Sequence, residues 1–389
     1  MGHPGTRDLI FCVAMRSVLI LLLAFGLQAA VGQSPRQAPS GDVDALMRAG
    51  IAAQRQGDSK AAIEDYRKVL AIHPEIVEAR IGLGAALAAQ GQFDAAIDED
   101  KRALAAAHDK NAVRMNLGMA YYKKGDADLA REQFEAVHAA LPHDVAAAVQ
   151  LGYVYVKLGR LSEVVDLLTP LEAGHESNTD LEYVLAFGLI QTGKEKEGVP
   201  RMEKVAQATH SASAYVIAGA DLLHRGDMPD ARIDLDAAMK LDPTIPGLAT
   251  MAGQARYAML DMPAATLAFQ AALRQNPRDF NANLDLGAIR LKEHDLKNAR
   301  PLLELALELQ PGFPMARLEM AKLDEIEGRY AEAAATLEDL VKAEPGWIDA
   351  HWELAAAYLE LNRPEDGKRE RMIAQQLKAR HQQNASSPE

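Results

Sequence analysis

Cysteine is nearly absent from this 389-residue chain: the single one, Cys12, lies close to the N-terminus. No disulfide framework, cysteine-based metal site or cysteine nucleophile can therefore be built in the rest of the chain. Aromatic residues are also scarce, at 5%. A sandwich or barrel draws on aromatic and β-branched side chains, so this shortage argues against one. Positive charge is in deficit too, with a net charge of −13. A body so acidic is repelled by phosphate backbones, which excludes general nucleic-acid binding. What fills the chain instead is alanine and glycine, together a quarter of all residues. Such small side chains suit helices packed at close range.

The N-terminus reads as an export signal. Met15 and Arg16 precede an apolar run, Val18–Leu27, which is followed by the small residues Ala29, Ala30 and Gly32. That order of charge, apolar run and small-residue exit is a secretory signal over 1–32, with Met15 the expected true start. The alternative joins Leu9–Val31 into an uncleaved membrane anchor, long enough to cross a bilayer. The expected address is exported, periplasmic or secreted with a cleaved signal, and anchored to the membrane with an uncleaved one. Residues 33–42, rich in Pro, Ser and Gly, read as a flexible linker.

From residue 43 to about 380 the chain matches itself at a spacing of 34. Repeats begin at Val43, Val77, Asn111, Val145, Thr179, Ala212, Pro246, Phe280, Pro314 and Ile348, with one step of 33 at Thr179 to Ala212. Position 8 is small in every repeat: Gly50, Gly84, Gly118, Gly152, Ala186, Gly219, Gly253, Gly287, Ala321 and Ala355. Position 20 is alanine in seven, and only Val164 there is larger than alanine. Position 32 is proline in six, from Pro74 to Pro345. The spacing predicts two helices per repeat, with a turn near position 15 and proline ending the second. Small residues at 8 and 20 let the helix axes approach, while larger ones at 7, 11 and 24 fill the surrounding space.

This pattern resembles the tetratricopeptide-repeat family, and an exported bacterial type of it. The resemblance implies an all-α, right-handed α-solenoid of about ten helix-turn-helix repeats. It also implies that first helices line a concave face gripping a polypeptide, and that second helices face outward. Some family members hold a C-terminal carboxylate with Lys and Asn at set positions. Here Asn116 stands between Ile81 and Ala85 in the preceding repeat and Ala146 and Gln150 in the following one, so that clamp is missing.

The repeat weakens at Thr169–Asp180, a polar, turn-rich stretch containing Pro170, where an altered inter-repeat angle and the array's weakest junction are expected. The last repeat thins to an apolar stripe of Met372, Ile373 and Leu377, as a terminal cap should. Residues 381–389 are expected to be disordered.

Catalytic signals do not emerge. Gly82 and Gly84 mimic the opening of a dinucleotide fingerprint, but they fall inside a first helix rather than after a strand. His108, His138, His143, His175 and His210 lack metal-ligand spacing. No enzyme activity, cofactor or metal is expected.

Two candidate sites follow from the first helices, whose positions 2, 5, 9, 12 and 13 share a face. One is an apolar strip of Met115, Met119, Tyr122, Val149, Tyr153, Val156, Tyr183, Phe187, Ile190, Val216 and Leu223. It lines a partner groove, or it is packed internally or against another copy. The other, at positions 5–6, 9 and 12–13 with position 2 of the last repeat, is an acidic end of Asp285, Glu319, Glu325, Asp349, Glu353 and Glu360, opposed by Lys292 and Lys322 and suited to a basic segment. The expected role is a non-catalytic scaffold binding a protein or peptide in the cell envelope. The alternatives are a self-associating assembly subunit, a possible homo-oligomer, and a regulatory arm of a separate enzyme. No nucleic acid partner is expected, and membrane contact only through an uncleaved N-terminal segment.

Overall fold

The computed structural model describes residues 41–385, so the export signal and nearly all of the linker lie outside the described residues. Within them are twenty α-helices and one 3₁₀ turn, with no strand. The described residues form two compact units that divide after Arg225, each a stack of antiparallel helices. The division falls at Gly226, in the turn of the sixth repeat, and not at Thr169–Asp180.

Unit 1 contains α1 (Gly41–Arg55), α2 (Ser59–Ile72), α3 (Val77–Ala89), α4 (Phe93–Ala106), α5 (Asn111–Lys124) and α6 (Ala127–Ala140). It continues through α7 (Val145–Lys157), α8 (Leu161–Leu168), α9 (Thr179–Gln191), α10 (Glu195–Thr209) and α11 (Ala212–Arg225). Unit 2 contains α12 (Met228–Leu241), α13 (Leu248–Ala258), α14 (Met262–Gln275), α15 (Phe280–Lys292) and α16 (Leu296–Leu309). It ends with α17 (Pro314–Ile326), α18 (Tyr330–Ala343), α19 (Ile348–Glu360) and α20 (Pro364–Ala385).

The small positions key each pair together. A Cβ added to Gly118 would lie 2.8 Å from the Phe134 ring, and one on Gly253 would lie 2.6 Å from the Phe269 ring. Position 8 is thus the socket for the large side chain at position 24 of the same repeat. The position-20 alanines, Ala62 through Ala333, are fully buried, as is Val164. Each of the six position-32 prolines stands two residues beyond a helix end; Pro74, for example, follows α2, which stops at Ile72. The residue before a proline is pushed out of helical geometry, so the stop is local. Asp58, Asp144, Asp261 and Asp279 cap the helices that follow by accepting a backbone N–H at 2.9–3.2 Å.

Position 15 has a further rule. Gly125 there has φ +105°, and the left-handed conformation persists where glycine is replaced: Leu260 (φ 63°), His294 (59°) and Asn362 (57°). The turn needs this backbone whatever the residue, so the cost falls on the side chain.

The weak repeat differs as its sequence does. Helix α8 has only 8 residues, then gives way to the 3₁₀ turn Thr169–Leu171 around Pro170. Arg201 of α10 ties this stretch down by bridging Glu172 and the buried Glu182. At the other end, α20 runs to Ala385 and carries helix into residues expected to be disordered. No described helix is long and apolar enough to cross a membrane.

Candidate functional site

Unit 1 holds the apolar strip, on α5, α7, α9 and α11. Eight of its eleven residues are buried: Tyr122, Val149, Tyr153, Val156, Tyr183, Phe187, Ile190 and Val216, each no more than 4% exposed. Met115, Met119 and Leu223 are half-buried. The expected open groove is therefore closed by packing within the unit itself. The first helices α7 and α9, on either side of the short α8, pack directly on one another. A Cβ on Gly152 would sit 3.0 Å from Val184 of α9, and every residue from Leu181 to Ile190 is buried. A helix buried all round is core.

This closed strip is not wholly apolar. The Tyr122 and Tyr153 hydroxyls are buried without a hydrogen-bond partner in the protein. Burial pushes the Tyr153 hydroxyl well up, and the neighbouring Asp180, Tyr183 and Tyr122 add to it. Lys157 closes one edge, donating to the Tyr122 carbonyl at 3.1 Å and standing 4.6 Å above its ring. Burial pulls the Lys157 ammonium down.

Unit 2 holds the acidic set, and here the structure gathers most of the expected residues. Lys322 on α17 donates to Glu319 at 2.9 Å and lies in the field of Glu353 and Asp349 from α19. Burial lowers its ammonium, the three carboxylates raise it, and the net is upward. Glu325, one turn further along α17, is pushed up to about 7 by burial and by Glu353. One of its carboxylate oxygens is buried without a partner. Glu353 is raised by burial, with Lys322 opposing. Tyr257 of α13 extends the row, raised by burial and by Asp285 and Glu319. Asp285 itself is 7% exposed, is pushed up to about 7 by burial, and accepts a long 3.4 Å hydrogen bond from Gln254. Glu325 and Glu353 are half-buried, the Glu319 side chain is only 14% exposed, and Asp349 is exposed, so these carboxylates share one ammonium at the edge of the surface. Glu360 and Lys292 are exposed and show no interaction with the set.

Sequence reasoning missed several buried acids, of which Asp100 is the most deeply buried. Asp100 occupies position 24 of the second repeat, where the other repeats except the last carry a large apolar side chain. It is 1% exposed, and neither carboxylate oxygen has a partner. Reading down position 24 alone would have found it. Among the described residues no group of three or more His, Asp or Glu side chains is placed to hold a metal ion.

Paired helices keyed by small residues, with uninterrupted first helices presenting a row of side chains, define a helical-repeat scaffold. Models of the tetratricopeptide repeat match residues 47–112, 250–314 and 318–367, and a second such model matches 81–237. The chain belongs to the tetratricopeptide-repeat family, whose members act as protein-interaction scaffolds, some with peptide-binding sites. Solved structures of similar fold include MamA from Desulfovibrio magneticus RS-1, 20% identical over 43% of this chain and 95% of that one, with a TM-score of 0.39. PilF of Pseudomonas aeruginosa is 19% identical over 57% and 96%, with a TM-score of 0.46. YrrB, described as having an unusual peptide-binding site, is 22% identical over 46% and 94%, with a TM-score of 0.39. No curated protein matches the chain.

Proposed function

We propose that this chain is a non-catalytic adaptor of the cell envelope whose polypeptide partner docks on the first-helix face of unit 2. The observation that carries this reading is the cation shortage around Lys322, which donates to Glu319 at 2.9 Å: Glu319, Glu325, Asp349 and Glu353 crowd one ammonium on a partly exposed face. A segment bearing Lys or Arg would supply the missing charge and fix register along the row. The strip in unit 1 does not serve this purpose, because Tyr153 and Phe187 are 2% and 1% exposed. Export rests on the N-terminal order of Arg16, the apolar run Val18–Leu27 and the small residues after it.

Capture from a periplasmic extract tests both parts. Wild-type chain should retain a partner that Glu325→Lys with Glu353→Lys loses by about tenfold or more, at unchanged helicity; an exposed charge pair alone contributes less. Equal capture by both forms would overturn the proposed docking face, and a partner found only in the cytosol would overturn the location.

A further inference from the structure

The structure carries a cationic segment of its own. From Gly367 onward, α20 bears Lys368, Arg369, Arg371, Lys378 and Arg380 against the single acid Glu370, in a chain whose net charge is −13. Lys368 is held by Glu365 and Arg369 by Asp366. Glu370 is turned inward onto the buried His351, at 2.5 Å from its Nδ1. Arg371, Lys378 and Arg380 are exposed and make no ion pair among the described residues.

The helix is also longer than its packing requires. It has 22 residues, and its last fully buried one is Ala374, at 0% exposure. From Lys378 to Gln383 every residue is exposed. Met372 and Ile373 on the same helix are 57% and 37% exposed. A polar helix turn with nothing beneath it is marginal in water and gains from a partner surface. Arg371 and Lys378 are seven residues apart, so they project from one face and can meet a row of carboxylates together.

We propose that a second copy of this chain docks its α20 arm on the acidic first-helix face of unit 2, placing Arg371 and Lys378 against Glu325 and Glu353. The inference rests on the reading of that face as a docking surface. It makes the second copy a competitor of the adaptor's partner: self-association covers the face, and the partner releases it. The contact is ionic, so it weakens as salt rises.

Light scattering and sedimentation on the full chain, at 20 mM and 500 mM salt, test it. The arm is solvent-exposed, so Lys378→Glu with Arg371→Glu leaves the packed part of the fold in place. At low salt the wild type should associate reversibly, and 500 mM salt should weaken it at least tenfold. The arm variant and a separate Glu325→Lys, Glu353→Lys variant should each be monomeric, and mixing the two should restore a one-to-one complex. A monomeric wild type at low salt, association untouched by either variant, or no complex on mixing would each sink the inference. If the wild type is monomeric and capture of the partner still depends on Glu325 and Glu353, the adaptor reading stands alone. If copies associate as described and capture ignores those residues, the self-docking stands and the adaptor face does not.

Discussion

Asp100 is the residue most at odds with its surroundings. It sits in the socket formed by Gly84, where an added Cβ would come within van der Waals overlap of its carboxylate, and it finds no hydrogen-bond partner. Burial, with Glu99 contributing, pushes its carboxyl up to about 8. Its neighbour in sequence, Glu99, is paired with Arg80 at 2.7 Å. The folded state therefore holds a proton on Asp100 that the unfolded state has released above pH about 4. Stability should fall as pH rises from about 4 to about 8, the direction expected for a raised acid. Asp285 and Glu325, both pushed up to about 7, act in the same direction within unit 2. Comparison with Asp100→Asn isolates the contribution of Asp100. Denaturation of Asp100→Asn should lose part of the pH slope, and Asp100→Leu should stabilise unit 1 at pH 8 by roughly 2–4 kcal/mol through removal of an unpaired buried carboxylate. An unchanged slope in both variants would show that the carboxylate reaches water.

At the scale of elements, the turn between paired helices is the most tightly specified piece. It demands a left-handed residue at position 15, and the α13–α14 turn meets that demand with Leu260, which is 73% exposed. A branched side chain there bears the steric cost without compensating burial. Leu260→Gly should raise the stability of unit 2 by about 1 kcal/mol, measured by urea unfolding. A loss of stability would mean that Leu260 makes a contact worth more than the backbone strain. This turn was legible in the sequence as a glycine-rich position, and so was its recurrence. The conformation of the exceptions was not: Leu, His and Asn carry no shared signal, and only the repeat register imposes φ > 0 on them. The truncated α8 is a similar case. Pro170 and the polar stretch after it announced a disturbed repeat, yet the direct packing of α7 on α9 was not legible there.

On the scale of the molecule, two stacks each bury their own core, and a repeat array loses stability locally before it does so globally. Introducing a carboxylate at Tyr153 and at Phe187 should therefore unfold unit 1 and spare unit 2. Each buried, unpaired charge costs about 3–5 kcal/mol, so two exhaust the stability of an ordinary domain. Circular dichroism should show Tyr153→Glu with Phe187→Glu losing about half its helicity and retaining one cooperative transition. Full helicity in that variant would mean the strip opens to water, as a groove would require.

The contrast between the two candidate sites shows where sequence reasoning stops. Helical periodicity placed Tyr122, Tyr153, Tyr183 and Phe187 on one face of their helices, and it equally placed Glu319, Glu325 and Glu353 on theirs. Face is a local property, fixed by 3.6 residues per turn. Exposure is set by how closely neighbouring helices pack, which depends on side chains contributed by other repeats. The sequence by itself determined the repeat, its helix pairs, the sockets at position 8 and the stops at position 32, because each depends on a few residues within one repeat. Only the tertiary structure decided that the aromatic strip is core and the acidic row is surface. Burial is a sum over neighbours, and neighbours are known only once the helices have packed.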